Sequence, residues 1–371
     1  MDERMQTNKK KIVILTNNGS GLIAFREELL RNLSAENEVL VCLPDSDSSE
    51  DIKKAGCQVL PIDFDRRGMN PIRDLNLYRS YKRILKQERP AAVITYTVKP
   101  NVYGGRACAA LKIPYLANIT GMGTAIENGG LLSKLTLMLY KAGLKKANCV
   151  FFQNQHNLDF FTKKGIVHGN TRRIPGSGVN LERHCFEQYP AEADGVSFLF
   201  VGRIMRDKGV NELLEAFRVV HSAHPNVMLR MLGGFDEDYH ERIRQAEEEG
   251  YLQYYGVQKN VHPYYRDAHC IVLPTYHEGM ANVLLEAAST GRPVIATRVP
   301  GCLETFDEGE TGLGCDVKNA ESLRLAVEAF LAGSEEAHRQ MGWKAREKMQ
   351  REFDRGIVIR AYLEEMEKAT R

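Results

Sequence analysis

Residues Thr275–Gly301, TYHEGMANVLLEAASTGRPVIATRVPG, decide how the rest of the chain is interpreted. Before them, the apolar run Ile271–Leu273 stops at Pro274, which is typical of a buried parallel strand. Met280–Ser289 has a helical pattern with small and branched apolar residues on one side. Gly291 and Pro293 end that helix, and the short apolar run 294–296 follows as a second strand. The stretch therefore predicts a strand–helix–strand unit.

Two glutamates mark this unit as a candidate site. Glu278 lies in the loop before the helix, and Glu286 lies two turns inside it. A helix N-terminus at the carboxyl end of a parallel sheet favours an anion, and Glu286 points along the same helix toward a ribose-like diol. Two glutamates eight residues apart are also common on ordinary solvated helices, so the spacing by itself leaves both interpretations open.

A second motif lies upstream, in the loop after the predicted strand 197–201. Residues 202–209 read GRIMRDKG, with Arg203 and Lys208 five positions apart. A guanidinium and an ammonium at a strand tip suit the oxygens of a diphosphate. The alternative is a solvated basic loop.

Together these motifs resemble family 4 glycosyltransferases, which have the GT-B fold. The resemblance rests on EGMANVLLEA with its flanking PT-x-x-EG and GRPVIAT-x-x-PG, and on GR-x(4)-KG. It is sharp over residues 197–301 and looser before them. It implies a retaining transferase that uses a nucleotide-diphosphate sugar, with no cofactor and no metal.

The resemblance also assigns roles to residues. Arg203 and Lys208 would hold the diphosphate and stabilise the leaving nucleotide. Glu278 would contact the donor sugar, and Glu286 would bind the ribose hydroxyls. Gly256 and Val257 would lie against the base. Further donor contacts would come from the backbone at the start of the helix, at Gly279, Met280, Ala281, Asn282 and Val283.

The N-terminal half carries a looser likeness. The stretches TYTVKPNVYGGRA (95–107) and IPYLANITGMGT (113–124) look like a bacterial subgroup that extends polyprenyl-diphosphate-linked sugars, including transferases of N-acetylgalactosamine. This implies transfer of a sugar, which we expect to be an N-acetylhexosamine from a UDP-sugar, to a polyprenyl-diphosphate-linked saccharide in surface glycan synthesis.

Loops after the N-terminal strands supply the remaining candidates. The turn 17–21 joins a strand to a helix predicted from Leu22, and its Gly19 and Gly21 would let the backbone approach the donor. Loops 19–21, 99–105 and 120–124 form the predicted acceptor-side wall, because open α/β sheets bind ligands at strand carboxyl ends. The candidate polar contacts there are Lys99, Asn101, Asn118 and Thr120. Many family members have a histidine after the strand matching 114–118, and this chain has none there, so no general base is visible.

The predicted architecture is α/β, with two doubly wound parallel-sheet domains facing across a cleft. We expect an acceptor domain over 1–178 and a donor domain over 179–352. The Gly/Pro run 174–180 and the irregular stretch after it serve as the linker. The last segment, 353–371, is predicted to be a helix that returns to the first domain.

Metal chemistry is not predicted. The eight cysteines are scattered without metal-ligand spacing, and they are interpreted as reduced cytosolic thiols. Asp-x-Asp strings occur at 45–47, 63–65 and 236–238, where a metal-dependent transferase would hold its ion. Their polar turn contexts favour solvated acids.

Charge is divided unevenly along the chain. Residues 1–190 carry 28 Lys and Arg against 18 Asp and Glu, whereas residues 191–371 carry 22 against 30. No nucleic-acid-binding signature accompanies the basic half, so an anionic membrane surface is the better partner. The segment 131–147, LLSKLTLMLYKAGLKKA, combines Leu and Met with lysines and contains no acid, as an interfacial helix does. A core helix with a basic edge is the alternative.

These observations predict a cytoplasmic enzyme bound peripherally to the inner face of the cell membrane, without a signal peptide or a spanning helix. Two other classes remain. A nucleotide-sugar epimerase-like enzyme would release its product without an acceptor. A non-catalytic nucleotide-sugar binding protein would turn over nothing.

Overall fold

The structure is a computed structural model that describes residues 9–44, 47–64, 70–122, 126, 129–193 and 195–371. The chain divides into two compact units. The first comprises Met1–Ser177 with Gly356–Arg371, and the second comprises Gly178–Arg355. The sequence places its domain boundaries after residues 178 and 352, beside these divisions.

The first unit is built on a parallel sheet. Its strands within the described residues are β1 Lys11–Leu15, β2 Glu38–Leu43, β3 Gln58–Pro61, β4 Ala92–Tyr96, β5 Tyr115–Ile119, β6 Cys149–Phe152 and β7 Thr171–Arg173. They are ordered β3-β2-β1-β4-β5-β6-β7. The sheet grows outward in both directions from β1 and β4, which is the doubly wound topology, so its switch point lies between these two strands.

Helices cover both faces of this sheet. They are α1 Gly19–Glu36, α2 Ser49–Lys54, α3 Pro71–Glu88, α4 Gly105–Leu111, α5 Gly130–Leu144 and α6 Gln155–Lys163. Strand β1 shows why its sequence is apolar throughout. Ile12 and Ile14 face one core cluster, and Val13 and Leu15 face another, which includes Tyr81 of α3. A strand buried on both faces needs no polar alternation.

The second unit is also built on a doubly wound parallel sheet. Its strands within the described residues are β8 Val196–Val201, β9 Val227–Leu232, β10 Leu252–Tyr254, β11 Cys270–Leu273, β12 Val294–Thr297 and β13 Gly312–Cys315. They are ordered β10-β9-β8-β11-β12-β13. The helices are α7 Val210–Ala223, α8 His240–Glu248, α9 His262–Arg266, α10 Asn282–Ser289, α11 Ala320–Leu331 and α12 Glu335–Lys348. The switch point lies between β8 and β11, and the two predicted motifs leave the carboxyl ends of these two strands.

The C-terminal helix α13, Arg355–Thr370, packs into the first unit as predicted. Val358, Ala361 and Met366 join the core cluster that contains Ile12. The ring of Tyr362 stacks on Phe151 with a centroid distance of 4.3 Å. The apolar face of the helix therefore completes one side of the first sheet.

Two predicted boundaries differ from the structure. Helix α1 begins at Gly19 rather than Leu22, because the side chain of Asn18 caps it by accepting a hydrogen bond from the Gly21 amide at 3.0 Å. The helix predicted over 131–147 ends at Leu144, before Lys145 and Lys146. No helix of the described chain is both long and apolar enough to cross a membrane.

Candidate active site

The loops after β8 and β11 are joined by backbone contacts. The carbonyl of Asp207 accepts hydrogen bonds from the Tyr276 amide at 2.9 Å and from the Thr275 hydroxyl at 3.3 Å. Gly209 has φ +72°, and a Cβ built on it would lie 2.0 Å from the Pro274 carbonyl oxygen. Only glycine suits that position. The glycine of the KG pair therefore lets one motif approach the other.

This approach brings Lys208 and Glu278 into direct contact. The Lys208 ammonium donates to Glu278 Oε1, and the two side chains are 19% and 16% exposed. In a partly buried pair each charge compensates the other at low dielectric. A ligand can also take the place of either partner. A phosphate oxygen can replace the carboxylate as the group bound to Lys208, and a sugar hydroxyl can replace the ammonium as the group bound to Glu278.

The proline–glycine pair that ends the motif supports the Glu278 loop from behind. Gly301 has φ +85°, and a Cβ there would lie 2.6 Å from the Glu278 carbonyl oxygen. The Gly301 carbonyl accepts a hydrogen bond from the Ala281 amide at 2.9 Å. The trailing part of the motif thus holds Glu278 and the start of α10 in register.

Arg203 has a different partner from Lys208. Its Nη1 lies 2.6 Å from Asp236 Oδ2, and its side chain is 55% exposed. Asp238, the second acid of that Asp-x-Asp string, contacts His240 instead, at 3.2 Å. The two carboxylates of the string therefore contact separate side chains, and Arg203 keeps enough exposure to meet a ligand.

The amides at the start of α10 are partly engaged. The Ala281 amide is bonded to Gly301, as above, and the Asn282 amide donates to the Met280 carbonyl at 3.0 Å. Met280 and Ala281 are buried, whereas Gly279, Asn282 and Val283 are partly exposed. Asn282 Oδ1 is buried and accepts no hydrogen bond from the described residues. Gly279, Asn282 and Val283 are therefore the predicted donor contacts that lie at the surface of the loop.

Glu286 is more enclosed than a surface glutamate. Its Oε2 accepts a hydrogen bond from the Tyr265 hydroxyl at 2.9 Å, and its Oε1 lies 3.9 Å from His184 Nε2. Burial raises the pKa of the Glu286 carboxyl above its ordinary value, while the Tyr265 hydrogen bond acts in the opposite direction. Sequence reasoning missed Tyr265 and His184, because neither lies in the motif and only the fold brings them to it.

Arg292, in the GRPVIAT stretch, is another residue to which the motif assigns no role. Its guanidinium is completely buried and donates to four carbonyl groups besides its own turn, those of Tyr265 at 3.0 Å, Glu187 at 3.0 Å, Gln188 at 2.8 Å and Arg266 at 2.6 Å. Burial lowers the pKa of Arg292 to about 10. A cation so well hydrogen-bonded is an internal anchor for the loops around Glu286.

The predicted base-side residues lie after β10. Gly256 has φ +64°, and its carbonyl accepts a hydrogen bond from the Gly233 amide at 2.9 Å. Val257 is 75% exposed. The structure thus places an exposed apolar side chain beside the loop that follows β9.

The first unit corrects two of the acceptor candidates. Asn101 and Asn118 are fully buried. Asn101 accepts from the Thr95 hydroxyl at 2.6 Å and donates to the Asn118 carbonyl at 2.8 Å. The Asn118 amide donates to the Tyr362 hydroxyl. These amides tie β4, β5 and α13 together, and their burial leaves them no surface for an acceptor.

Lys99 is also occupied within the fold. It is 8% exposed, and its ammonium lies 2.9 Å from Asp74 of α3. A buried pair of this kind leaves an uncompensated carboxylate if the lysine turns toward a ligand, so Lys99 is a poor acceptor contact. Thr120 is exposed, in keeping with its predicted place on an open loop. Residues 123–124 of that loop lie outside the described residues.

The glycines of the first turn of α1 have different surroundings. Gly19 is buried, and a Cβ there would lie 2.7 Å from Leu43 and 2.8 Å from Ser48. Gly21 is partly exposed and lies against the capping side chain of Asn18. Gly19 therefore serves the packing of α1 on β2, and Gly21 is the more open of the two predicted donor contacts.

Comparison with protein families gives two matches, one in each unit. Residues 11–154 match the glycosyl transferase 4-like model, and residues 184–348 match the model of glycosyl transferases group 1. The second match contains both motifs described above.

A curated relative aligns over nearly all of both chains. It is the N,N'-diacetylbacillosaminyl-diphospho-undecaprenol alpha-1,3-N-acetylgalactosaminyltransferase of Campylobacter jejuni, 24% identical over 95% of this chain and 97% of its own. The capsular polysaccharide biosynthesis glycosyltransferase CapM of Staphylococcus aureus is 29% identical over 43% of this chain and 42% of its own.

Solved structures agree on the fold. Sucrose-phosphate synthase from Thermosynechococcus elongatus has a TM-score of 0.78 at 21% identity, covering 97% of this chain and 98% of that one. Anabaena HepE in complex with UDP-glucose has a TM-score of 0.79 at 16% identity, covering 97% and 100%. The predicted GT-B class, with two parallel-sheet α/β domains, is confirmed.

Proposed function

The chain belongs to the group 1 glycosyltransferases, and from that premise we propose that it moves an N-acetylhexosamine from a UDP-sugar to a polyprenyl-diphosphate-linked saccharide in surface glycan synthesis. The observation that carries the proposal is the alignment, along nearly the full length of both chains, with an enzyme named for an undecaprenol-diphosphate acceptor and N-acetylgalactosaminyl transfer.

In the proposed reaction Lys208 and Arg203 bind the diphosphate of the donor. Negative charge grows on the leaving phosphate as the glycosidic bond breaks, and fixed cations stabilise it most strongly at that moment. Lys208 lies deep, against Glu278, whereas Arg203 is held by Asp236 at the surface. Donor binding would release Glu278 from Lys208, which frees the carboxylate to accept a hydrogen bond from the sugar.

We further propose that the transfer retains the anomeric configuration and needs no metal. The acceptor hydroxyl would attack from the face that the diphosphate leaves, and its proton would pass to the departing phosphate. That route requires no protein base, which suits a site where the predicted Lys99, Asn101 and Asn118 are enclosed by their own unit. Arg203 and Lys208 would supply at the diphosphate the positive charge that a metal otherwise provides.

Helix α5 supports the lipid-linked acceptor. One face of the helix packs on the first unit, where Tyr140 and Leu144 are buried in a core cluster. The opposite face also carries large apolar side chains, with Leu131 85%, Leu132 48%, Leu135 40% and Met138 62% exposed. A helix with only a core role would carry polar residues on that outer face. This orientation favours the interfacial interpretation of the segment.

Lysines accompany these apolar side chains. Lys134 and Lys141 lie on the helix, Lys145 and Lys146 follow its end, and all four are exposed. Each would contribute about 1 kcal/mol near an anionic surface. Together with the apolar side chains they would give reversible, salt-sensitive binding to the cytoplasmic leaflet. The protein would thus lie peripherally on the inner face of the membrane, where a soluble donor and a lipid-linked acceptor meet.

The experiment is a transfer assay with a synthetic polyprenyl-diphosphate N-acetylhexosamine acceptor. UDP-N-acetylgalactosamine, UDP-N-acetylglucosamine, UDP-glucose and GDP-mannose are compared as donors, and product anomers are assigned by NMR. We expect transfer from a UDP-N-acetylhexosamine with the donor's α configuration retained. Donor conversion without acceptor would establish an epimerase instead, and nucleotide-sugar binding with no turnover on any acceptor would establish a binding protein.

A further inference from the structure

Three side chains with metal-binding atoms meet on the second unit, apart from the Lys208–Glu278 pair. Cys185 Sγ lies 3.7 Å from Glu187 Oε1 and 3.7 Å from His262 Nε2. His262 Nε2 lies 2.9 Å from Glu187 Oε1. Among the described residues this is the one group of three such side chains whose ligand atoms all lie within 4.8 Å of one another. We propose that it binds Zn²⁺.

The distances match tetrahedral zinc closely. With Zn–S near 2.3 Å and Zn–N or Zn–O near 2.1 Å, the sulfur should lie about 3.6 Å from each of the other two atoms, and nitrogen and oxygen about 3.4 Å apart. Both sulfur distances agree. Glu187 Oε1 and His262 Nε2 need to separate by about half an ångström, which a rotation of the glutamate side chain supplies.

The chemistry of the three donors also indicates zinc. A histidine–carboxylate pair needs no metal, but the third member is a sulfur beside the same carboxylate. Zinc binds thiolate, imidazole and carboxylate together, whereas a sulfur ligand disfavours Mg²⁺ and Ca²⁺.

The two segments that carry the ligands are held in place by one buried residue. Arg292 donates to the carbonyl of Glu187 and to that of Tyr265 on α9, the helix that starts with His262. The Glu187 amide also donates to the Thr290 carbonyl at 3.1 Å. His262 Nδ1 is buried without a hydrogen-bond partner among the described residues, and Nε2 is the ring nitrogen that meets Cys185 and Glu187. The site is therefore preorganised by the fold.

Accessibility separates this cysteine from the others. Cys185 is exposed, and the other seven cysteines are buried. Three protein ligands leave a fourth position for water. The ion would clamp the segment 185–187 to α9, and α9 carries the Tyr265 hydroxyl that holds Glu286. The proposed zinc is thus a structural clamp, and the transfer chemistry does not pass through it.

The test is a titration of the metal-free full chain with Co²⁺, followed by displacement with Zn²⁺. We expect a thiolate-to-cobalt charge-transfer band that saturates at one equivalent and disappears on addition of zinc. Zinc should also slow labelling of Cys185 by a thiol reagent at least tenfold. Both readouts work without sugar substrates, so their failure and the failure of the glycosyltransferase proposal are distinguishable.

Variants decide which atoms bind. Cys185→Ser should abolish the band, His262→Gln should weaken cobalt affinity at least tenfold, and Glu187→Gln should weaken it less. His224→Gln, at an exposed histidine of the same unit, is the matched control and should bind like wild type. Melting of the metal-free variants checks that they fold. Absence of the band in wild type, or its persistence in Cys185→Ser, would overturn the proposal.

Discussion

Lys208 and Arg203 serve as cations in the same loop but differ in depth and partner. If both stabilise the leaving diphosphate, Lys208→Ala and Arg203→Ala should each lower kcat/KM about 100-fold or more, since removal of one preorganised charge contact typically costs this much. Arg206→Ala is the matched control, because Arg206 lies between them and its side chain is 69% exposed. Steady-state kinetics with saturating acceptor measure the effect. Near wild-type values for either variant would remove that residue from the site.

Glu286 and Glu278 should differ in which part of the donor they bind. Glu286→Ala should weaken binding of free UDP, because the ribose is present in donor and product alike. Glu278→Ala should leave UDP affinity nearly unchanged and lower turnover of the sugar donor. Calorimetry with UDP, beside turnover assays, distinguishes the two. Equal losses of UDP affinity in both variants would contradict this division of roles.

At the residue scale, sequence patterns identify the charged residues of the motif but not the side chains that contact them inside the fold. Arg203, Lys208, Glu278 and Glu286 are identifiable because their spacing is local. The partners of Glu286 lie far from it in sequence, and Tyr265 and His184 reach it only through the fold. For Asn101 and Asn118 the sequence predicts polar contacts with the acceptor after the strands, whereas their amides satisfy buried hydrogen bonds within the fold.

At the scale of elements, the turn after β8 depends on close backbone approach. Gly209→Ala should lower the free energy of unfolding by more than about 1 kcal/mol, because positive φ disfavours a side chain and a Cβ would also collide with Pro274. Gly250→Ala is the matched control. Its φ is +83°, but nothing lies within 4 Å of the added Cβ. Denaturant unfolding compares them, and equal losses would show that the contact with Pro274 contributes nothing.

Helix α5 allows a second test at this scale. A variant with glutamate in place of Lys134 and Lys141 on the helix, and of Lys145 and Lys146 just after it, should lose binding to anionic vesicles, because attraction becomes repulsion. Vesicle co-sedimentation, with anionic and with neutral lipid, measures it, and salt should weaken wild-type binding. The control makes the same charge change on exposed lysines of α2 and α3, namely Lys53, Lys54, Lys82 and Lys86.

Apolar contact is tested separately from charge. Met138→Ser with Leu131→Ser leaves every lysine in place and should weaken vesicle binding while the protein stays folded, since both side chains are exposed. Equal binding by wild type to neutral and anionic lipid, or unchanged binding by the four-lysine variant, would contradict the proposed membrane surface.

For the whole molecule, the doubly wound class follows from its apolar strands and the helical patterns between them. Continuous runs such as KIVIL are buried on both faces, which a sequence pattern reports directly. The return of α13 to the first unit was predicted from a helical pattern alone, but its contacts required the fold. The proposed zinc ligands show what sequence spacing does not predict. Cys185 and Glu187 are two residues apart, yet His262 joins them across 75 residues and no spacing rule connects them.

Metal removal then separates two roles within one chain. EDTA should leave kcat of the transfer reaction within about twofold of the untreated enzyme, because Arg203, Lys208 and the N-terminus of α10 supply positive potential at the diphosphate. The same treatment should lower the melting temperature if zinc clamps α9, since an ion bound only by the native state stabilises it. The measurements are initial rates and melting curves before and after chelation, with Zn²⁺, Mg²⁺ and Mn²⁺ added back separately. Complete loss of transfer, restored by magnesium or manganese, would contradict metal independence and favour a metal bound at one of the Asp-x-Asp strings. If zinc restores the melting temperature while the transfer rate stays constant throughout, the positive charge at the donor comes from the protein itself. The ion then contributes only to the stability of the fold.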